Sequence, residues 1–267
     1  MEYFIETGFI DLKATFSCGQ CFRWEEVGGA YSGAAGGRKA FAREEKGGVA
    51  LSGISEGDIP FWKRYFCAHE DYRSLIETFS ADETLKAACA FALGIRVLWQ
   101  EPFETLISFI ISQNNNIGRI KGIISRLCER FGENGAFPEP ERLAVSGKDD
   151  LAFLRAGFRD RYILDAAGRV ASGEIRLDKI ADMPYNSGKA ELMKIVGVGE
   201  KVADCVLLFG FHKTEAFPRD VWMKRVMSAY YPNGLPDCVK GYEGIAQQFL
   251  FHYARSAGFS GARTARG

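Results

Sequence analysis

Apolar and polar positions change their spacing once along this chain, near residue 55. Before that point come four short runs: Cys21-Phe22-Arg23-Trp24, Ala30-Tyr31-Ser32, Lys39-Ala40-Phe41-Ala42 and Val49-Ala50-Leu51. Gly28-Gly29, Gly36-Gly37 and Gly47-Gly48 punctuate them, which predicts an antiparallel sheet with tight turns. From Ser55 the spacing becomes helical. Ser55-x-x-Asp58 before IPFWKRYF and Ser80-x-x-Glu83 before TLKAACAFAL read as capping boxes. Glu101-Pro102 opens PFETLISFIISQ, which is apolar nearly all round and predicts a central buried helix. Asn114-Asn115-Asn116 interrupts it. Ile117 to Phe131 then resumes as an amphipathic helix with Arg119, Lys121, Arg126 and Arg130 on its polar side. Residues 132–140 read as a loop, and further helices are predicted near 149–155, 159–172, 187–195, 200–210, 221–230 and 240–257. The expected fold is α+β: a small N-terminal antiparallel sheet domain with flanking helices over 1–99, then a mostly α-helical domain over 100–267.

The 267 residues are 47% hydrophobic, ample for a packed core. No apolar run approaches the roughly 20 residues of a membrane helix, and the N-terminus lacks a basic-then-apolar signal pattern. Seven cysteines, an odd and scattered set, fit free thiols in a reducing compartment better than a disulfide framework. Net charge is zero, but its distribution is uneven. Residues 1–60 carry 6 basic and 9 acidic side chains, 61–118 carry 5 and 7, and 119–267 carry 23 and 18. The positive excess therefore lies in the helical half, which permits a nucleic-acid face without requiring one.

Chemistry concentrates between Leu192 and Met227. An apolar segment meets Gly197-Val198-Gly199, then Lys201, then a second apolar helix; Asp220 follows nineteen residues after the lysine. Two close glycines allow a reversal and a near approach by another backbone, and the amides beyond them are unpaired donors that suit a phosphate. This predicts a helix-hairpin-helix near 189–210 with Gly197, Gly199 and Val202 against a nucleic-acid backbone. At the first turn of a helix the macrodipole disfavours an ammonium ion, and a free lysine amine is a carbon nucleophile. Spacing alone also allows Lys201 to be a surface phosphate clamp. Asp220 suits a helix N-cap, and a rigid N-cap carboxylate can also stabilise positive charge on a nearby sugar.

Other motifs say less. Cys18-Gly19-Gln20-Cys21 has no second ligand pair for zinc and precedes a strand rather than opening a helix. His69, His212 and His252 stand far apart in sequence, so no metal site is expected. The asparagine run can simply cap helices. Gly157-Phe158-Arg159 can be a loop with a half-buried ring, or an aromatic wedge beside an arginine that reads an orphaned base.

SCGQCFRW, QEPFETLISFIISQNNNIGRIKGIISRLCERFG, AGFRDRY, GVGEKVADCVLLF, FPRDVWM and GIAQQFLF follow one another in order and span nearly the whole chain. Together they resemble the 8-oxoguanine DNA glycosylase/AP lyase family of the helix-hairpin-helix superfamily. The resemblance implies a base excision repair enzyme that flips and excises 8-oxoguanine, preferably opposite cytosine, and cuts the strand by β-elimination. Lys201 is then the nucleophile and Asp220 the supporting carboxylate. Gly19, Cys205, Gln247 and Phe251 form the lesion-base pocket, with Gln248 beside Gln247 as the alternative reader. Asn114, Arg119 and Arg159 fill the vacated space and read the opposite cytosine, with Phe158 as the wedge.

Trp222 stands where better-known eukaryotic members have a histidine and is left without a role. The implied partner is double-stranded DNA containing 8-oxoguanine, and a monomer is expected. No cofactor is required, though hairpins of this superfamily hold a monovalent cation, K+ or Na+, on main-chain carbonyls. The compact chain suggests a prokaryotic, cytoplasmic and nucleoid-associated protein; a eukaryotic one would be nuclear. A glycosylase for another damaged base, or a non-catalytic hairpin that only binds DNA, are the alternatives.

Overall fold

The computed structural model describes residues 1–256. The last residue of the helix expected over 240–257 lies outside that range. Five strands, β1 (Glu2–Glu6), β2 (Trp24–Val27), β3 (Ala30–Ala35), β4 (Arg38–Glu45) and β5 (Gly48–Ser52), form one antiparallel sheet in the order β1-β5-β4-β3-β2. Helix α1 (Leu12–Ser17) runs between β1 and β2. Gly28-Gly29 and Gly36-Gly37 both have positive φ at each position, which lets two-residue hairpins follow the twist of the strands. Trp24 opposes Gly33 across the β2–β3 pair, and a Cβ at residue 33 would lie 2.2 Å from the indole. The indole therefore lies flat on that strand.

The sheet differs from the sequence expectation at two places. β1 was not foreseen: only Ile5 of its side chains is buried, so it carries little alternation. β2 starts at Trp24 rather than Cys21, because Cys21 and Phe22 are core residues of a bend.

The helices are α2 (Ile59–Tyr65), α3 (Tyr72–Phe79), α4 (Glu83–Phe91), α5 (Pro102–Ser112), α6 (Ile117–Phe131), α7 (Pro140–Ala144), α8 (Lys148–Leu151), α9 (Asp160–Ala171), α10 (Leu177–Ile180), α11 (Tyr185–Leu192), α12 (Glu200–Phe211), α13 (Val221–Tyr230) and α14 (Glu243–Ser256). Ser55 and Asp58 form the expected capping box. The second one is corrected. Asp82, not Ser80, caps α4 by accepting from Leu85 N at 2.8 Å, while Ser80 ends α3 with its hydroxyl on Ile76 O. Aspartate is as good a cap as serine and stands directly before the helix. Among the described residues no helix is long and apolar enough to cross a membrane.

The described residues form two apolar clusters. The sheet and α1 pack Ile5, Leu12, Trp24, Val49 and Leu51 against Trp62, Tyr65 and Phe66 of the α2 region. Phe16 stacks on Trp24 with centroids 4.4 Å apart, and Trp24 Nε1 donates to Tyr65 Oη at 2.8 Å. The larger cluster surrounds α5, whose residues 103–111 are all buried, with Phe109 stacked on Phe209 of α12 at 5.4 Å. Polar contacts join the two units. Arg23 pairs with Glu104 at 3.2 Å and donates to Gly135 O, and Lys121 Nζ donates to Trp24 O at 2.8 Å.

Candidate active site

The hairpin is α11, a turn over 193–199, and α12. Ile195 and Val198 are buried and anchor the turn. Its two glycines are there for different reasons. Gly197 has φ +84°, and a Cβ there would sit 2.4 Å from the Tyr162 ring; a Cβ at Gly199 would meet nothing within 4 Å. Gly197 is thus required by the fold, while Gly199 leaves open space before the first turn of α12. Among the described residues no side chain caps that helix, so its leading amides, Val202 among them, are left as unpaired donors while the Val202 side chain is buried.

Lys201, half-buried in that first turn, lies with Nζ 5.0 Å from the Phe109 ring centroid. The buried helix α5 therefore forms the floor beneath the amine. Asp220 caps α13, accepting from Met223 N at 2.8 Å. Lys201 and Asp220 share a cleft of about 560 Å³, walled also by Asn114, Gly199, Val202 and Trp222. Cys205 follows Lys201 by one turn on α12. Burial pushes its thiol up to about 11, the Lys201 ammonium acting against that shift and the Asp204 and Asp220 carboxylates with it. That places Cys205 beside the pair. All seven cysteines are free thiols, six of them buried, and burial raises each one.

Asn114, Arg119, Phe158 and Arg159 form a second group at the rim. Asn114 has φ +47° where α5 ends, and the Asn116 side chain caps α6 on Arg119 N at 2.9 Å. Arg159 is buried and donates to the carbonyls of Gln113, Asn114 and Ala156, with its guanidinium 4.3 Å from the half-exposed Phe158 ring. Arg119 is exposed and donates to Arg155 O at 3.0 Å. Burial lowers the Arg159 pKa and the charge on Arg119 adds to this, so the two cations lie close together.

Gly19, Gln247 and Phe251 are not among the walls of that cleft. Gly19 has φ +86° at the end of α1. Its neighbour Gln20 is buried and fully engaged: Nε2 donates to Thr15 O and Arg96 O, while Oε1 accepts from Leu98 N at 2.8 Å. The peptide between them is consequently held by the 96–98 segment. On α14, Gln248 Nε2 donates to Gln247 Oε1 at 2.6 Å, and Gln248 Oε1 is buried without a partner among the described residues. Phe251 follows Gln247 by one turn, with Arg255 6.0 Å from its ring. The charge of the same arginine is felt at the Cys18 thiol, next to Gly19.

Two groupings escaped the sequence reading. Asp204, on the apolar face of α12, is buried and accepts from Tyr185 Oη at 2.7 Å and Lys189 Nζ at 3.1 Å, tying α11 to α12 behind Lys201. A charged residue inside an apolar helix was the available signal. The histidines also need correcting. His69 and His212 do not stand apart; their ring centroids are 5.9 Å from each other, with Glu70 between them. A separation of 143 residues hides this in sequence.

Comparison with known proteins agrees with this arrangement. Residues 3–106 match the model of the 8-oxoguanine DNA glycosylase N-terminal domain, and residues 107–237 that of the HhH-GPD superfamily base excision DNA repair protein. The chain is 34% identical over 258 residues to the N-glycosylase/DNA lyase of Saccharomyces cerevisiae, covering 82% of this chain and 68% of the yeast protein. The fold matches MBOgg1, solved with a low-affinity DNA ligand, with TM-score 0.90, 38% identity and 96% of each chain covered. It also matches the Clostridium acetobutylicum 8-oxoguanine glycosylase/lyase bound to double-stranded DNA with cytosine opposite 8-oxoguanine: TM-score 0.86, 37% identity, 93% of this chain and 92% of that one covered. The chain belongs to the 8-oxoguanine DNA glycosylase family of the helix-hairpin-helix base excision repair superfamily.

Proposed function

We propose that this protein is a bifunctional DNA glycosylase and β-lyase that removes 8-oxoguanine paired with cytosine. The observation that carries the proposal is the meeting of Lys201 and Asp220, nineteen residues apart in sequence, in one cleft behind an uncapped helix N-terminus. The unpaired leading amides of α12 hold the phosphate backbone. The lesion nucleotide is extruded, at a cost of a few kcal/mol. The Lys201 amine attacks the sugar C1′ as the bond to the base breaks, the base leaving with the bonding electrons and taking a proton. Asp220 stabilises the positive charge that develops on the sugar ring. Loss of the amine proton and ring opening leave a Schiff base. Its C2′ proton is acidic, and removal of that proton expels the 3′ phosphate by β-elimination.

Base choice rests on hydrogen-bond polarity. 8-Oxoguanine carries N7–H where guanine has an acceptor. A fixed Gly19 carbonyl accepts from the lesion and opposes the lone pair of the normal base, a difference of roughly 1–3 kcal/mol. Gln247, or Gln248 in its place, reads the Watson–Crick edge between Cys205 and Phe251. Phe158 fills the gap in the stack, and Asn114, Arg119 and Arg159 face the orphaned cytosine. The hairpin carbonyls of Leu192 and Ile195 each accept one amide and keep a second lone pair, a donor set that suits a monovalent cation bracing the turn.

Borohydride reduction of the protein on duplex DNA carrying 8-oxoguanine opposite cytosine should yield a covalent adduct. Lys201→Gln should abolish the adduct and retain binding. Absence of any trapped species with the wild-type protein would overturn the lyase mechanism.

A further inference from the structure

The histidine pair lies at the opposite end of α12 from Lys201, about 16 Å away at 1.5 Å per residue, and the repair chemistry makes no use of it. His212 Nε2 lies 3.3 Å from Glu70 Oε1, and His69 Nε2 lies 3.5 Å from the same oxygen. One ligand atom from each of the three residues falls within 4.8 Å of the others. We propose that His69, Glu70 and His212 form a zinc site that clips the α2–α3 corner to the end of α12.

Distance supports it first. Zinc sits about 2.0–2.2 Å from nitrogen and oxygen ligands in a tetrahedron, so ligand atoms should lie roughly 3.3–3.5 Å apart. Both histidine–carboxylate pairs meet that spacing, and the two imidazoles, within 4.8 Å, need only a small inward turn of the exposed His69. Two imidazoles with one carboxylate select zinc over calcium or magnesium, which take oxygen ligands. The surroundings orient the ligands. Trp99 stacks on the His212 ring at 5.1 Å and 14°, and Cys67 Sγ lies 3.7 Å from His212 Nδ1. The same sulfur is 3.9 Å from Nε2, so it packs against the side of the imidazole between the two nitrogens and, with Trp99, fixes the orientation of the ring.

Access and charge also fit. The His212 side chain is 8% exposed and that of His69 54%, so the site opens to solvent on one side and has room for a water as fourth ligand. A cavity of about 670 Å³ adjoins it, with Glu6, Asp71 and Glu77 on its walls as well as Arg73 and Arg96. Arg96 is held by the carbonyls of Cys67 and Thr7, and its charge is also felt at Glu70. Arg64 lies over the Trp99 ring at 5.6 Å.

The test titrates the full-length protein with Co2+ as a spectroscopic stand-in and with Zn2+ as competitor. One equivalent of Co2+ should bind, giving visible d–d absorption without a thiolate-to-metal charge-transfer band. Zn2+ should displace it and raise the melting temperature. His69→Ala, Glu70→Gln and His212→Asn should each weaken binding at least about ten-fold. Asparagine tolerates the left-handed backbone at residue 212, where φ is +53°. All three variants should still be trapped by borohydride on lesion DNA, which separates this site from the repair chemistry. Absence of stoichiometric binding, a thiolate band, or binding unchanged in the variants would each overturn the zinc site. The two histidines would then be hydrogen-bonded to Glu70 and nothing more.

Discussion

Asp220 holds the end of a helix with the same carboxylate that reaches the cleft, and a substitution can separate these two duties. Asparagine caps about as well as aspartate, so Asp220→Asn should melt close to the wild type. Its single-turnover base release should fall roughly a hundredfold or more, the scale of losing one electrostatic stabiliser. Asp220→Ala should show the same rate loss and also lose about 1 kcal/mol of stability. An Asn variant that keeps its rate would remove the carboxylate from the chemistry. Lys201 and Asp220 were legible in sequence because each stands at a helix start marked by glycine or proline. Asp204 was not, because its partners Tyr185 and Lys189 lie a helix away across the hairpin. Nor were His69 and His212, which meet only when α12 docks beside the α2–α3 corner.

Within the hairpin, the two glycines make different demands. Gly197→Ala places a methyl group in the Tyr162 ring at a positive φ, and should destabilise the protein by more than about 1 kcal/mol. Gly199→Ala meets no protein atom, so the fold should persist while affinity for duplex DNA falls. Thermal melts beside a binding titration at fixed salt distinguish these outcomes, and equal losses of stability in both variants would refute the division. Helix positions were readable wherever a long apolar stripe follows a cap, as in α5, α6 and α13, or a glycine pair, as in α12. Short elements were not. β1 is an edge strand with one buried side chain, and α3 was concealed because its last turn runs into the polar Ser80-Ala81-Asp82 segment that starts the next helix.

Across the whole molecule, the joint between sheet and helices contains a buried ion pair, Arg23–Glu104. Burial raises the Glu104 carboxyl to about 7, with Arg23 opposing the shift. A carboxyl whose folded pKa exceeds its unfolded value of about 4.5 binds its proton more tightly in the folded state, so stability declines as pH rises from about 4.5 through 7. Denaturant unfolding should show the wild type losing up to about 3 kcal/mol relative to Glu104→Gln across that window. A difference that does not change with pH would place the shift elsewhere. The joint was invisible in sequence, since its partners lie 81 residues apart. The cysteines act across the whole molecule too. Peroxide attacks thiolates, not thiols, and six of the seven sulfurs are buried, which raises their pKa and shields them, while Cys238 is only half-buried. A protein proposed to excise an oxidised base thus encloses six of its seven thiols, Cys205 beside the catalytic pair among them, and should go on working under the conditions that produce its substrate.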